Sequence, residues 1–141
     1  MNLFLCKVRF SKMLENGIQK KVTEQYALNA LSFTEAEARI IEEVAPFISG
    51  DFEVKDISRM NISEVFDKVD GDRYYKIKVN FISLDETTGR EVKSASYMLV
   101  KASDMESAKT NFLNGMKDTM ADFEVEQYVE TKIMDYYPDK R

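Results

Sequence analysis

The sequence predicts an α+β protein that contains an internal duplication of a β-β-α-β unit, with a mainly antiparallel sheet and one helix in each repeat. Three observations support this prediction: residues that recur 71 positions later, strand-like alternation at the start of each copy, and a helix-start signal in the middle of each copy. The residues that recur at this offset are Lys7, Val8 and Phe10 with Lys78, Val79 and Phe81; Tyr26 and Leu28 with Tyr97 and Leu99; Ser32 and Glu35 with Ser103 and Glu106; Phe52, Glu53 and Val54 with Phe123, Glu124 and Val125; and Ile62 with Ile133. Chance identity gives scattered matches, whereas these are grouped within the same predicted elements.

The first strand of each copy alternates between apolar and polar residues, as a half-buried strand does. The apolar sets are Phe4, Cys6, Val8 and Phe10 in the first copy and Tyr75, Ile77, Val79 and Phe81 in the second. A turn containing Gly17 or Gly89 follows and predicts a hairpin to a second strand at about 21–31 or 92–102. The two glycines lie 72 positions apart, so the second loop has about one extra residue.

A capping box predicts the start of each helix. Ser32 with Glu35, and Ser103 with Glu106, each place a serine at the N-cap and a glutamate at the third helical position, where both can satisfy free backbone amides. Apolar residues then follow at helical spacing and are expected to pack in the core. A third strand is expected at about 52–62 and 123–133.

These elements divide the chain into a first repeat at 1–62, a short linker at 63–73 and a second repeat at 74–141, and we expect one compact domain overall. Within a repeat, the simplest arrangement places the first strand between the second and the third. The tail from Tyr136 is expected to be loosely ordered.

The composition argues against most kinds of catalytic site. The chain has no histidine and one cysteine, Cys6, so it lacks the residues for a Ser-His-Asp site, a Cys-His site or a zinc site. No glycine-rich phosphate loop is present. We therefore expect no enzyme activity and no cofactor. Carboxylates leave a magnesium site open, but the group formed by Asp67, Asp70 and Asp72 does not match a calcium loop.

The net charge, the cysteine count and the lengths of the apolar runs indicate the kind of partner and the compartment to expect. A net charge of −5 argues mildly against a dedicated duplex-DNA binder. A lone cysteine fits a reducing compartment, and no apolar run is long enough to span a bilayer. We expect a cytoplasmic protein with no membrane partner.

The candidate binding surface is the polar side of the first strands. The candidate nucleic-acid-binding residues are Lys7, Arg9, Lys55, Arg59, Tyr74, Lys76 and Lys78. A sheet that carries basic and aromatic side chains can hold single-stranded nucleic acid by stacking and by neutralising phosphates. The same residues could also be an ordinary solvated face.

Two further functions stay open. The third strand of the second copy carries Glu124, Glu126 and Glu130 where the first has Glu53, Lys55 and Arg59. A basic half and an acidic half would suit self-assembly into a homo-oligomer or binding of a protein partner. A small-ligand or nucleotide binder with its pocket between the repeats is the other alternative.

Several stretches of the chain resemble the domain-of-unknown-function 4494 family. They are Cys6 to Arg9, Glu15 to Gly17, Lys20 to Glu24, Ala30 to Ile40 and Gly115 to Asp122, so the resemblance covers essentially the whole chain. It implies a setting in Bacteroides-type bacteria and their phages and a cytoplasmic protein. It implies no established activity and no catalytic residues.

Overall fold

A computed structural model describes residues 2–139 and contains eight strands and two helices within them. The elements in chain order are β1 (Asn2–Met13), β2 (Gln19–Ala30), α1 (Phe33–Val44), β3 (Phe52–Met60), β4 (Glu64–Phe66), β5 (Arg73–Leu84), β6 (Glu91–Ala102), α2 (Met105–Met116), β7 (Asp122–Glu130) and β8 (Ile133–Tyr137). The predicted α+β fold with two similar halves is confirmed. The chain forms two compact units: unit 1 comprises residues 1–60 and 132–141, and unit 2 comprises residues 61–131.

Unit 1 is a four-stranded sheet in the order β3-β1-β2-β8, with one helix on one face. β1 lies antiparallel between β2 and β3, as the sequence predicted. Its alternate residues Phe4, Cys6 and Val8 are fully buried, and they form a core with Ile40 and Val44 of α1. The apolar alternation of the strand therefore packs against the apolar stripe of the helix.

Unit 2 repeats this arrangement in the order β4-β6-β5-β7. Tyr75, Ile77 and Val79 of β5 are buried with Phe112 and Met116 of α2. Phe66 of the short strand β4 packs edge-on against the Phe112 ring, with a centroid distance of 6.0 Å. A Cβ atom at Gly115 would lie 2.7 Å from the Phe66 ring, so this helix position requires glycine for close packing.

Each half of the duplication contributes its last strand to the sheet of the other half. β4 follows β3 in the chain but pairs in parallel with β6 of unit 2. β8 follows β7 but pairs in parallel with β2 of unit 1. Residues 63–73, which we expected to form a linker, therefore include a strand, and the predicted boundaries at 62 and 74 do not follow the two units.

The expectation of a loose tail was wrong for Tyr136 and Tyr137, because both lie in β8. Tyr137 stacks on Tyr26 with a centroid distance of 6.1 Å, and the Tyr136 hydroxyl accepts a hydrogen bond from the Asn29 amide at 2.6 Å. Backbone pairing and these two side chains hold residues 136 and 137 in the sheet. Lys140 and Arg141, the last residues of the expected tail, lie outside the described residues.

The offset between equivalent residues changes along the chain, which corrects part of the predicted alignment. The first strands align at 71, but the second strands and helices align at 72 because of the longer second hairpin loop. Tyr26 thus corresponds to Met98, which is also buried, and not to Tyr97. The same change moves the second capping box: Asp104 is the N-cap of α2 and Ser107 its partner, in place of Ser103 and Glu106.

Cys6 is a buried thiol on the helix side of β1. Burial, assisted by the negative charge of Asp56, raises the pKa of Cys6 to about 12. Since the thiolate is the reactive form, Cys6 is inert at neutral pH.

Candidate binding surface

The surface predicted to bind a ligand is the sheet face opposite the helix, which we call the back face. In unit 1 it carries Lys7 and Arg9 of β1, and in unit 2 it carries Lys76 and Lys78 of β5. Residues that pair directly across an antiparallel ladder share a face, so the register assigns every neighbouring side chain. The sequence therefore placed these four cations on the correct side of their sheets.

A β-bulge in β3 removes Arg59 from the back face. The ladder between β1 and β3 shifts at Lys7 and Val8, so Lys55 is the extra residue and Arg59 pairs with Phe4. The Arg59 guanidinium lies 5.6 Å from the Phe4 ring centroid and 5.4 Å from that of Phe33, on the helix side. Its role here is a cation–π contact at the rim of the core.

An equivalent bulge at Glu126 of β7 moves Glu130 to the helix side of unit 2. There the Glu130 carboxylate accepts hydrogen bonds from Tyr75 and Arg73. Simple alternation along the third strands predicted the wrong face for both Arg59 and Glu130. A bulge inserts one residue, so every side chain beyond it lies on the opposite face from the one that alternation predicts.

Tyr74 lies on the back face of unit 2 but is only 2 % exposed. Its backbone carbonyl accepts hydrogen bonds from the amide and hydroxyl of Thr131. A buried ring offers no face for a nucleic-acid base, so the stacking role predicted for Tyr74 is corrected to a structural one.

Three of the back-face cations of unit 2 are occupied by neighbouring groups, whereas Lys101, beside Tyr74, forms no ion pair within residues 2–139. The Lys78 ammonium lies 2.6 Å from the Glu126 carboxylate, and Lys93, on the same face of β6, lies 2.7 Å from Glu124. Hydrogen bonding to Glu126 raises the pKa of Lys78, and the same bond lowers the pKa of Glu126. The Lys76 ammonium lies over the Tyr97 ring at 4.7 Å.

The cations of the first hairpin differ in this respect. Among the described residues, only Lys55, the bulged residue of β3, forms an ion pair on this face, with Glu53 at 3.8 Å. The hairpin cations, none of which has an ion-pair partner in residues 2–139, are Lys7, Arg9, Lys12, Lys20 and Lys21. Lys7, Arg9 and Lys21 lie on the back face, whereas Lys12 and Lys20 lie on the other side of the ladder. Lys7 and Arg9 are half-buried, and the other three are exposed.

The third strands explain the difference between the two hairpins. Residues 2–30 carry five basic and two acidic residues, and residues 73–102 carry six and three, so both hairpins have the same excess of positive charge. β3 has two acidic and two basic residues, whereas β7 has four acidic and no basic residues. β7 therefore places a net charge of −4 beside its hairpin, whereas β3 has no net charge. Asp56 and Glu53 of β3 are cross-strand partners of Lys7 and Arg9, but they form no ion pair with them in the described residues.

The cationic part of the back face of unit 1, which carries Lys7, Arg9 and Lys21, borders a groove of about 560 Å³ at the end of the sheet. Arg9 and Lys21 line it together with the half-buried rings of Phe10 and Phe52. Asp51 and Glu53 also line it and add two negative charges. The groove combines cations, aromatic rings and hydrogen-bond acceptors within one unit.

Sequence reasoning missed Lys12, Lys20, Lys21 and Lys93. A signal was present for the first two, because the hairpin turn at Asn16 and Gly17 already implied that Lys12 and Lys20 face each other across the ladder, as they do. The pairing of Lys93 with Glu124 depends on the register between three strands, which the sequence does not give.

The part of the chain at residues 2–139 contains no cluster of three or more His, Cys, Asp or Glu side chains that could hold a metal ion. It also has no helix that is long and apolar enough to cross a membrane.

The fold and this surface together define a duplicated α+β protein with an exchanged strand in each sheet and a cationic hairpin in unit 1. The chain belongs to the family described as a domain of unknown function (DUF4494), whose model matches residues 2–139. No curated protein and no solved structure matched the chain.

Proposed function

We propose that this chain is a non-enzymatic binding protein that holds single-stranded nucleic acid on the back face of unit 1. The observation that carries the proposal is the contrast between the two hairpins. Lys7 and its repeat equivalent Lys78 occupy the same position on the same kind of strand, but only Lys78 has a carboxylate partner. Cations left without a partner can neutralise phosphates at little cost.

The phosphate path runs along Lys7 and Arg9 to Lys21, which sits on the same face of the neighbouring strand. Successive residues on one face of a strand are about 6.8 Å apart, so Lys7 and Arg9 can contact separate phosphates. Phe10 and Phe52 lie on the helix side at the end of the sheet and line the adjoining groove, so their half-exposed rings supply stacking surface for a base that reaches past the end of the back face. Asp51 and Glu53 can accept hydrogen bonds from the amino groups of that base.

We expect the variant Lys7→Gln/Arg9→Gln to bind a fluorescent single-stranded oligonucleotide about tenfold more weakly at low salt, because two phosphate contacts are lost. The slope of log affinity against log salt concentration should become shallower by about 1.4, since each contact on a single strand contributes about 0.7. Fluorescence anisotropy over a series of salt concentrations measures both quantities.

The matched control is Lys78→Gln/Lys93→Gln, which changes the net charge by the same amount in the other repeat. These lysines neutralise Glu126 and Glu124 in the folded protein, so we expect little change in affinity. Equal weakening by both variants would show that overall charge drives binding. Failure of the unmodified chain to retain the oligonucleotide at low salt would refute the proposal.

A second candidate function is self-assembly. The observation that favours it is the opposite net charge of the two hairpin ends, +2 for residues 11–21 and −2 for residues 83–92.

A further inference from the structure

The two hairpins extend beyond the third strands as two-stranded arms. In unit 1 the last pair between β1 and β3 is Phe10 with Phe52, and the hairpin continues through residues 11–21, which we call arm 1. In unit 2 the last pair between β5 and β7 is Ile82 with Asp122, and the hairpin continues through residues 83–92, which we call arm 2. Almost every residue of both arms is exposed.

The arms have opposite charges. Arm 1 carries Lys12, Lys20 and Lys21 against Glu15, a net charge of +2. Arm 2 carries Asp85, Glu86 and Glu91 against Arg90, a net charge of −2. The arms occupy corresponding positions in the duplication; arm 2 has the longer turn, and the two arms carry net charges of opposite sign.

Both arms also expose large apolar side chains near their turns. Met13 and Ile18 of arm 1 are 63 % and 60 % exposed, and Leu84 of arm 2 is 64 % exposed. Exposed apolar residues grouped within a charged rim are typical of a protein interaction site.

Arm 1 contains an arrangement that is unfavourable in an isolated molecule. Lys12 and Lys20 are direct cross-strand partners, and like charges in such positions repel each other. No ion pair within residues 2–139 relieves this repulsion. An acidic partner placed against the arm would relieve it.

From charge complementarity and the exposed apolar tips, we propose that arm 1 of one molecule binds arm 2 of a second copy of this chain. The contact joins two different surfaces, so it is heterologous, and a pair of molecules joined by one such contact still presents one free arm of each sign. Assembly therefore proceeds head to tail, to a ring or an open chain. This proposal does not rest on nucleic-acid binding: Lys21 belongs to both surfaces, but the substitutions that test arm pairing are at Lys12 and Lys20 and leave Lys7, Arg9 and Lys21 unchanged.

Sedimentation velocity at low salt tests the proposal with charge-reversed variants. The unmodified chain should show an average mass that rises with protein concentration and falls when salt is added. Lys12→Glu/Lys20→Glu makes both arms negative, and Glu86→Lys/Glu91→Lys makes both arms positive. Each variant alone should associate at least about tenfold more weakly, because attraction becomes repulsion at the contact.

Two recovery experiments separate arm pairing from a general effect of charge. A mixture of the two double variants should form complexes, because negative arms then meet positive arms. The variant that combines all four substitutions keeps the net charge of −5 and exchanges the signs of the arms, so it should assemble as the unmodified chain does. A monomeric mass for the unmodified chain at every concentration would overturn the proposal. So would assembly that persists in either double variant, or that fails to return in both recovery experiments.

Discussion

A chain that ends after Thr131 is expected to lose the folded structure of unit 1. This truncation removes β8 and leaves β2 as an uncovered edge. The lost contacts include buried Ile133, the stack of Tyr137 on Tyr26 and the hydrogen bond from Arg39 to the Pro138 carbonyl at 2.9 Å. Burial of two large side chains at about 1.5–3 kcal/mol each, with several hydrogen bonds at about 0.5–1.5 kcal/mol each, approaches the whole stability of a small domain.

Hydrogen–deuterium exchange measures the result strand by strand. In the truncated chain, the amides of β1, β2 and β3 should exchange rapidly, while those of β5 and β6 stay protected because all four strands of their sheet remain. A chain that ends after Asp139 keeps β8 and is the control, with protection expected in both sheets. Full protection of β1 and β2 in the shorter chain would contradict the role assigned to β8.

Phe112→Ala is expected to destabilise unit 2 by about 3–5 kcal/mol, the usual cost of removing a fully buried phenylalanine ring. Phe112 is 0 % exposed, and its ring meets Phe66 of β4 and Phe123 and Tyr128 of β7 at centroid distances of 6.0–6.2 Å. It thus connects the helix to both edge strands of the sheet. The loss of these contacts leaves a cavity that rigid neighbours cannot fill.

Chemical denaturation followed by circular dichroism tests this effect. Leu113→Ala is the matched control, because Leu113 is the next residue in α2 but is 52 % exposed, and its removal should cost well under half as much. A similar loss of stability in both variants would show that burial in the aromatic cluster does not determine the result.

The sequence predicted the parts of the fold that rest on regular periodicity. Phe4, Cys6 and Val8 alternate over a long strand, and the recurrence of Phe52, Glu53 and Val54 identifies the third strands. The central position of β1 followed from the connectivity. β4 and β8 could not be found this way, because strands of three and five residues are too short to show a period.

The candidate site was harder to predict than the fold. Alternation placed Lys7, Arg9, Lys76 and Lys78 correctly, but the bulges at Lys55 and Glu126 have no glycine or proline to mark them. The burial of Tyr74 and the ion pair between Lys78 and Glu126 depend on tertiary packing and register. Sequence spacing carries no information on either.

The most direct test of the contrast between the two hairpins is the affinity of Glu124→Gln/Glu126→Gln for single-stranded oligonucleotide at low salt. These substitutions release Lys93 and Lys78 from their carboxylate partners, while the amide oxygen introduced by Glu126→Gln can still accept the hydrogen bond from Asn80. The control, Asp70→Asn/Asp118→Asn, makes the same change in net charge at two exposed carboxylates of unit 2 that form no ion pair within residues 2–139. If ion pairing with β7 is what prevents the second hairpin from binding nucleic acid, the first variant should bind the oligonucleotide several-fold more tightly and with a steeper salt dependence. The control should show neither change. Equal affinity for the two variants would contradict it.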